Sequence, residues 1–168
     1  MDNLFIDTII TKSIAIEPSN INRNLNEYIL NKLKNTYEGK CLKLGYVKPN
    51  SITILKRSMG AILQSHFNGS ILYNIKFSLK VCNPLEGSVI TVLVKNINKM
   101  GILASISNKD EDINGESPLN ILLARQHHID NVDFFTKNIG DSISIKVIGK
   151  RFEFGDNQIS VIAVLNNE

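Results

Sequence analysis

Two cysteines in 168 residues, Cys41 and Cys82, are too few for a disulfide framework and too isolated for a zinc site. No apolar run approaches the ~20 residues that a bilayer-spanning helix needs. The start, MDNLFIDTII, has acidic residues where a secretory signal needs basic ones, which argues against export. Together these absences point to a soluble chain of a reducing, intracellular compartment with no membrane partner. Catalytic signatures are missing too. There is no Gly-rich phosphate cradle with a following Lys, no nucleophile elbow and no carboxylate pair in a helical frame, so neither an enzyme nor a cofactor is expected. His127-His128 is the one tempting pair, but adjacent side chains diverge and no nearby Cys completes a ligand set. No metal site is expected, and the pair is assigned a surface or interface role.

What is present is 43% hydrophobic and 21% charged residues, the composition of one ordinary domain or two very small ones. The formal charge of +3 is unevenly placed. Residues 1–83 carry 11 Lys/Arg against 5 Asp/Glu, whereas residues 84–168 carry 8 against 11. Lys40, Lys43, Lys48, Lys56 and Arg57 follow one another with no intervening acid. That segment reads either as solvated surface or as a contact for nucleic acid or an acidic partner.

Hydrophobic periodicity divides the chain near residue 82. A first strand is expected within residues 4–16, where SIAI alternates. Pro18 stops it, and Ser19 or Asn20 can cap a helix whose stripe is Ile21, Leu25, Ile29 and Leu33, ending at Thr36–Gly39. KCLKLGYV and SITIL are short strands around a Pro49-Asn50 turn, and AILQSHF runs into the hairpin signal Asn68-Gly69. The return run ILYNIKFSLKVC has a period of two over its whole length, so one face is buried and the other wetter. The expected fold is α+β and mostly β. Residues 1–82 make a tip domain of one helix on a small antiparallel sheet, and residues 83–168 make a five-stranded barrel.

The barrel strands are read as SVITVLVKNI, ILASI, PLNILLA, GDSISIKVIG and NQISVIAVL. An exposed acidic loop, NKDEDINGES, follows the second, a helical or irregular connection, RQHHIDNVDFF, follows the third, and a hairpin at Gly155-Asp156 joins the last two. This is an OB-type layout. Gly87 is expected to turn the chain tightly into the first barrel strand, and Gly101 to turn it back where a side chain would clash. OB barrels bind single-stranded nucleic acid by stacking bases on rings in a positive groove. The candidate groove residues are Lys95, Lys99, Arg125, Lys150 and Arg151, with Phe152 and Phe154 as platforms or barrel filling. The acidity of this half limits the expectation to weak RNA binding.

The segments YEGKC, GYV, YNIKFSLKVCNPLEGSVITVLVKNINKMGILASI and GDSISIKVIGKR, in this order, resemble the S1-domain stalk subunit of multisubunit DNA-directed RNA polymerases. That family comprises the seventh subunit of eukaryotic polymerase II and its archaeal E-prime equivalent. The resemblance spans nearly the whole chain and implies a tip domain followed by an S1 barrel. It implies a non-catalytic subunit that pairs with a small helical partner, docks at the polymerase clamp and contacts nascent RNA. Gly39, Gly45, Tyr46 and the 51–60 loop, with Lys56, Arg57 and Gly60, fall at the implied core-docking end. Lys95, Lys99 and Arg125 fall on or beside the implied RNA-facing barrel. Departures from the family pattern are Ile102 and Leu103 in place of an aromatic, Leu85 in place of another, and an end close behind the last strand. With the bias to Asn, Ile and Lys, these differences lean towards a version carried by a large DNA virus, acting in host cytoplasm or virion; a cellular eukaryotic copy implies the nucleus. The competing reading is a free-standing S1-type RNA-binding protein of translation or RNA decay.

Overall fold

Residues 4–64, 68–106, 117–129 and 131–166 are described by the computed structural model. Two compact units divide them: Phe5–Gly39 with Val47–Val81, and Lys40–Tyr46 with the chain from Cys82 onward. The acidic run at 108–116 and the end of AILQSHF at 65–67 lie outside the described residues.

Strand β1 (Phe5–Ile16) leads through a 3-10 turn at Pro18–Asn20 to helix α1 (Leu25–Tyr37). Strands β2 (Cys41–Leu42), β3 (Gly45–Val47), β4 (Thr53–Arg57), β5 (Ala61–Ile62) and β6 (Ile71–Cys82) follow. In the first unit β6 pairs with β1 and, antiparallel, with β4 and β5. Its alternation works as the sequence implies: Tyr73, Ile75, Phe77 and Leu79 are buried, while Asn74, Lys76 and Lys80 are exposed. Helix α1 buries Leu25, Ile29 and Leu33, and Tyr37 stacks on the Phe77 ring at 6.0 Å. Each such fully buried aliphatic side chain contributes about 1.5–3 kcal/mol.

Two local expectations are corrected here. The helix starts at Leu25 rather than beside Ser19 or Asn20, because Pro18 opens a separate 3-10 turn that uses those residues. The Asn22 side chain then accepts from the Asn24 N–H, and Ile21 lies ahead of the helical stripe. KCLKLGYV is not one strand but two, β2 and β3, paired Cys41 to Tyr46 and Leu42 to Gly45. Gly45 adopts φ of +131°, a conformation closed to most side chains, and so lets the chain reverse within two residues.

In the second unit β7 (Val89–Asn98), β8 (Gly101–Ile106), β9 (Leu119–Ala124), β10 (Ser142–Arg151) and β11 (Ile159–Leu165) close a barrel in the order β10-β11-β9-β8-β7. The β9–β11 pair is parallel and the other four are antiparallel. A 3-10 turn at Arg125–His127 and helix α2 (Val132–Phe135) connect the third barrel strand to the fourth. Inward residues are aliphatic, among them Val92, Ile102, Ile121, Leu123, Ile145 and Val161. Gly101 behaves as expected: at φ of +148° an added Cβ would lie 2.0 Å from the Leu123 carbonyl oxygen. Gly87, at φ of +83°, donates its N–H to Val147 O at 2.8 Å and starts the first barrel strand. The β2–β3 hairpin belongs to this unit up to Tyr46. Cys41 N–H donates to Asp156 O at 2.7 Å and Gly155 N–H returns a bond to Cys41 O at 2.9 Å, tying the hairpin to the β10–β11 connection.

Candidate functional site

The outer wall of the barrel follows from its registers. Leu103 faces Leu122 across β8–β9, Leu122 faces Ile162 across β9–β11, and Ile162 faces Gly149 across β11–β10. Opposed residues share a face, so these positions form one outward row. They line a groove of about 470 Å³ edged by Asn120, Ser160 and Arg151. The same alternation turns Ile102 inward, where it is 1% exposed. Of the two residues that stand in place of an aromatic, only Leu103 can therefore meet a ligand on this wall.

The candidate cations separate into different roles. Lys95 and Lys99 are exposed, Lys99 in the turn between β7 and β8. Arg125 reaches the same turn through its N–H, which donates to Met100 O at 2.9 Å, and its guanidinium lies 5.4 Å from the centre of the Phe135 ring. Lys99 and Arg125 are thus brought to one end of the barrel. Lys150 also lines the groove, but its Nζ is already engaged, donating to Asn83 Oδ1 at 2.5 Å and to Pro84 O at 2.9 Å. Arg151 is exposed at the groove edge, 3.5 Å from Glu153. Phe152 is half-buried, and Phe154 is 72% exposed. Phe135 was not singled out by the sequence reasoning. Its only signal is the Phe134-Phe135 doublet, of which Phe134 is buried and Phe135 is 53% exposed.

His128 is not the surface residue that the sequence suggested. It is buried, with Nδ1 2.8 Å from Ala124 O and Nε2 accepting from the Leu165 N–H at 2.9 Å. A carbonyl can only accept and an amide N–H can only donate, so the proton sits on Nδ1. The ring stacks on Phe134 at 4.2 Å and pins the ends of β9 and β11 to α2. His127 remains exposed.

In the first unit, Gly39 has φ of +70° and donates to Val47 O at 3.1 Å. Lys56 and Arg57 sit on opposite faces of the sheet. Lys56 is opposite Lys76, whereas Arg57 is opposite buried Ile75 and lies 5.3 Å from the centre of the Tyr73 ring. Gly60 takes φ of +88°, and a Cβ there would come within 2.7 Å of the Tyr73 ring. That close approach, with Ser58 N–H donating to Asn74 O and Asn74 N–H to Ser58 Oγ (2.9 Å each), holds the 58–60 loop against β6. Between these anchors Met59 is fully exposed, flanked in the sequence by exposed Leu55 and Ile62. The sequence reasoning missed Met59, whose only cue is the glycine that follows it. Gly45 and Tyr46 lie in the second unit and are buried.

A closed five-stranded barrel with one parallel pair and a helical link between its third and fourth strands is an OB-type, S1-like fold, preceded here by one main helix on a small sheet. Residues 11–47 match the model described as the SHS2 domain found in the N terminus of Rpb7p/Rpc25p/MJ0397. The chain is 25% identical over 170 residues to DNA-directed RNA polymerase subunit L376 of Acanthamoeba polyphaga mimivirus, covering 97% of this chain and 82% of that one. It is 23% identical over 165 residues to DNA-directed RNA polymerase II subunit 7 of Arabidopsis thaliana, covering 89% and 86%. It is also 26% identical over 102 residues to the RPB7 subunit of polymerase II from Glycine max, covering 60% and 56%. These findings bear out the resemblance to Rpb7-like polymerase stalk subunits, and one of the relatives is viral.

Proposed function

We infer that this chain is a stalk subunit of a DNA-directed RNA polymerase, itself non-catalytic, that docks on the core enzyme and helps to guide emerging RNA. The observation that carries this is the match of 97% of the chain to a relative named as a polymerase subunit, over a fold that joins a helix-on-sheet unit to an S1-like barrel. Residues 1–82 serve as the tip and residues 83–168 as the barrel. The free-standing S1 reading is not favoured, since the relatives that match are named as polymerase subunits.

Docking at the clamp is assigned to the 51–60 loop. A fully exposed Met on a loop fixed from both sides suits insertion into an apolar pocket, because little ordering entropy remains to be lost on binding. Contact with nascent single-stranded RNA is assigned to the barrel end that holds Lys99 and Arg125, with Phe135 beside them. The contact is weak, since the outer row is aliphatic and offers no ring for a base. A small helical stalk partner completes the assembly. The compartment is that of the polymerase, host cytoplasm or virion for a viral copy and nucleus for a cellular one. No helix among the described residues is long and apolar enough to cross a membrane.

Affinity purification of the tagged protein tests the reading. Polymerase large subunits should be recovered, and Met59→Asp should reduce their recovery without changing the thermal unfolding of the free protein. Absence of polymerase subunits from the wild-type eluate would sink the assignment.

A further inference from the structure

The open face of the first unit's sheet carries a charge arrangement that its own fold does not use. Lys56 on β4 and Lys76 on β6 are directly opposite in register. Opposed Cβ atoms on an antiparallel pair are roughly 4.5–5.5 Å apart, and like charges so placed destabilise the sheet. Lys80 follows Lys76 on the same face, roughly 13 Å along the strand. Lys56, Lys76 and Lys80 are all exposed, and none forms an ion pair with a described residue. Asp7, which shares the parity of Ser13, is the one carboxylate that β1, β4 and β6 carry. Thr53 opposite Ser78, and Ser13 donating to Asn74 Oδ1 at 2.6 Å, add hydroxyls and an amide, while Ile9, of the same parity as Asp7 and Ser13 and 57% exposed, adds one aliphatic side chain.

We propose that this open face is a docking surface for an acidic segment of a partner protein, with Lys56, Lys76 and Lys80 as its cationic groups. An opposed lysine pair that costs stability in the free chain gains it once carboxylates lie over both ammonium groups. Nucleic acid fits less well. The rings of this unit's strands, Phe5, Tyr73 and Phe77, are all buried, so bases find nothing to stack on. The guanidinium of Arg57, which would suit a phosphate, is on the other face. The proposal rests on the sheet alone and holds whether or not the chain joins a polymerase.

Fluorescein-labelled decaglutamate and decauridylate, titrated against the full chain at low and physiological salt, provide the test. Decaglutamate should bind in a salt-sensitive manner, and the double variant Lys56→Gln/Lys76→Gln should weaken it at least tenfold while decauridylate binding is unchanged. Arg57→Gln, a one-charge control on the opposite face, should affect decaglutamate less than Lys76→Gln does. In the absence of ligand, Lys76→Gln should raise Tm by roughly 1–3 °C, because the opposed charges are relieved. Three results overturn the proposal: no decaglutamate binding by the wild type, equal losses for Lys76→Gln and Arg57→Gln, or a loss of decauridylate binding as large as that of decaglutamate. The last result would reassign the face to nucleic-acid backbone.

Discussion

Gly101→Ala puts the strongest steric requirement of the barrel to a quantitative test. Gly101 opens β8 opposite Ala124 of β9. A Cβ at this position would lie 2.0 Å from Leu123 O and 3.1 Å from Ala124 Cα, and both are backbone atoms. No rotamer change can clear them, so the two strands must part at their first rung. A side chain at φ of +148° costs about 1–3 kcal/mol in backbone strain. Each hydrogen bond left unmade at the parted rung costs about 1–3 kcal/mol more. With one such bond lost, the sum is about 2–6 kcal/mol. Gly87→Ala is the reference, since Gly87 also has positive φ, +83°, but nothing lies within 4 Å of its Cβ position. Only the local cost of about 1–2 kcal/mol applies there.

Equilibrium urea unfolding followed by far-UV circular dichroism suits the comparison, because the chain has no Trp. With a slope of about 1–3 kcal/mol per M, the two midpoints should differ by about 1–2 M. The Gly101 variant should also lose RNA affinity, since the Lys99–Met100 turn and the Arg125 N–H that binds it are displaced together. Equal midpoints for the two variants would refute the close approach of β8 to β9 and the reasoning built on it.

Other outcomes follow from the same geometry. Ile102→Phe should destabilise the barrel by about 1–3 kcal/mol through overpacking, whereas Leu103→Phe, on the outer wall, should tighten oligouridylate binding measured by fluorescence anisotropy; the reverse pattern would mean the strand parity is wrong. Lys150→Met should lower stability by about 1–3 kcal/mol in urea, through its lost bonds to Asn83 and Pro84, and leave RNA affinity unchanged, while Lys99→Glu should do the opposite. The Cys41 thiol is pushed up to about 11 from 9.0 by burial and then by the Asp156 carboxylate. The folded state therefore holds this proton more tightly than the unfolded one, and stability should fall as pH rises from about 9 to about 11, by up to about 1.4 kcal/mol per pH unit. Cys41→Ala should remove that part of the slope in denaturation curves taken across the window.

Much of this fold was legible because one face of each long strand is buried. The period-two run of β6 and the five apolar runs of the barrel announce themselves, and Gly87 and Gly101 mark the turns that need them. The helix start was misplaced because a Pro followed by Ser and Asn is as good a signal for a 3-10 turn as for a cap. The β2–β3 hairpin is not legible because strands of two and three residues have no period to detect, and its partners, Gly155 and Asp156, lie more than a hundred residues away.

The candidate sites were less legible for a different physical reason. Neighbours in the chain read as pairs, and the fold divides those pairs. Lys56 goes to the open sheet face while Arg57 turns to Tyr73, and Ile102 enters the core while Leu103 stays outside. His128 is a buried strut and His127 is solvated, and of two residues that both line the groove Lys150 has its Nζ bound to Asn83 and Pro84 while Arg151 is exposed. On a strand, consecutive side chains point to opposite faces, so a charge run in sequence halves its density on either surface. Lys56 and Arg57, at the end of the Lys40–Arg57 run, therefore do not share a face. A cationic surface instead joins Lys56 to Lys76 and Lys80, 20 and 24 residues further along the chain, which only the β4–β6 register brings together. An excess of basic residues in the first half predicts that some surface is positive. The parity of β4 and β6 decides which one, and so which variants can test it.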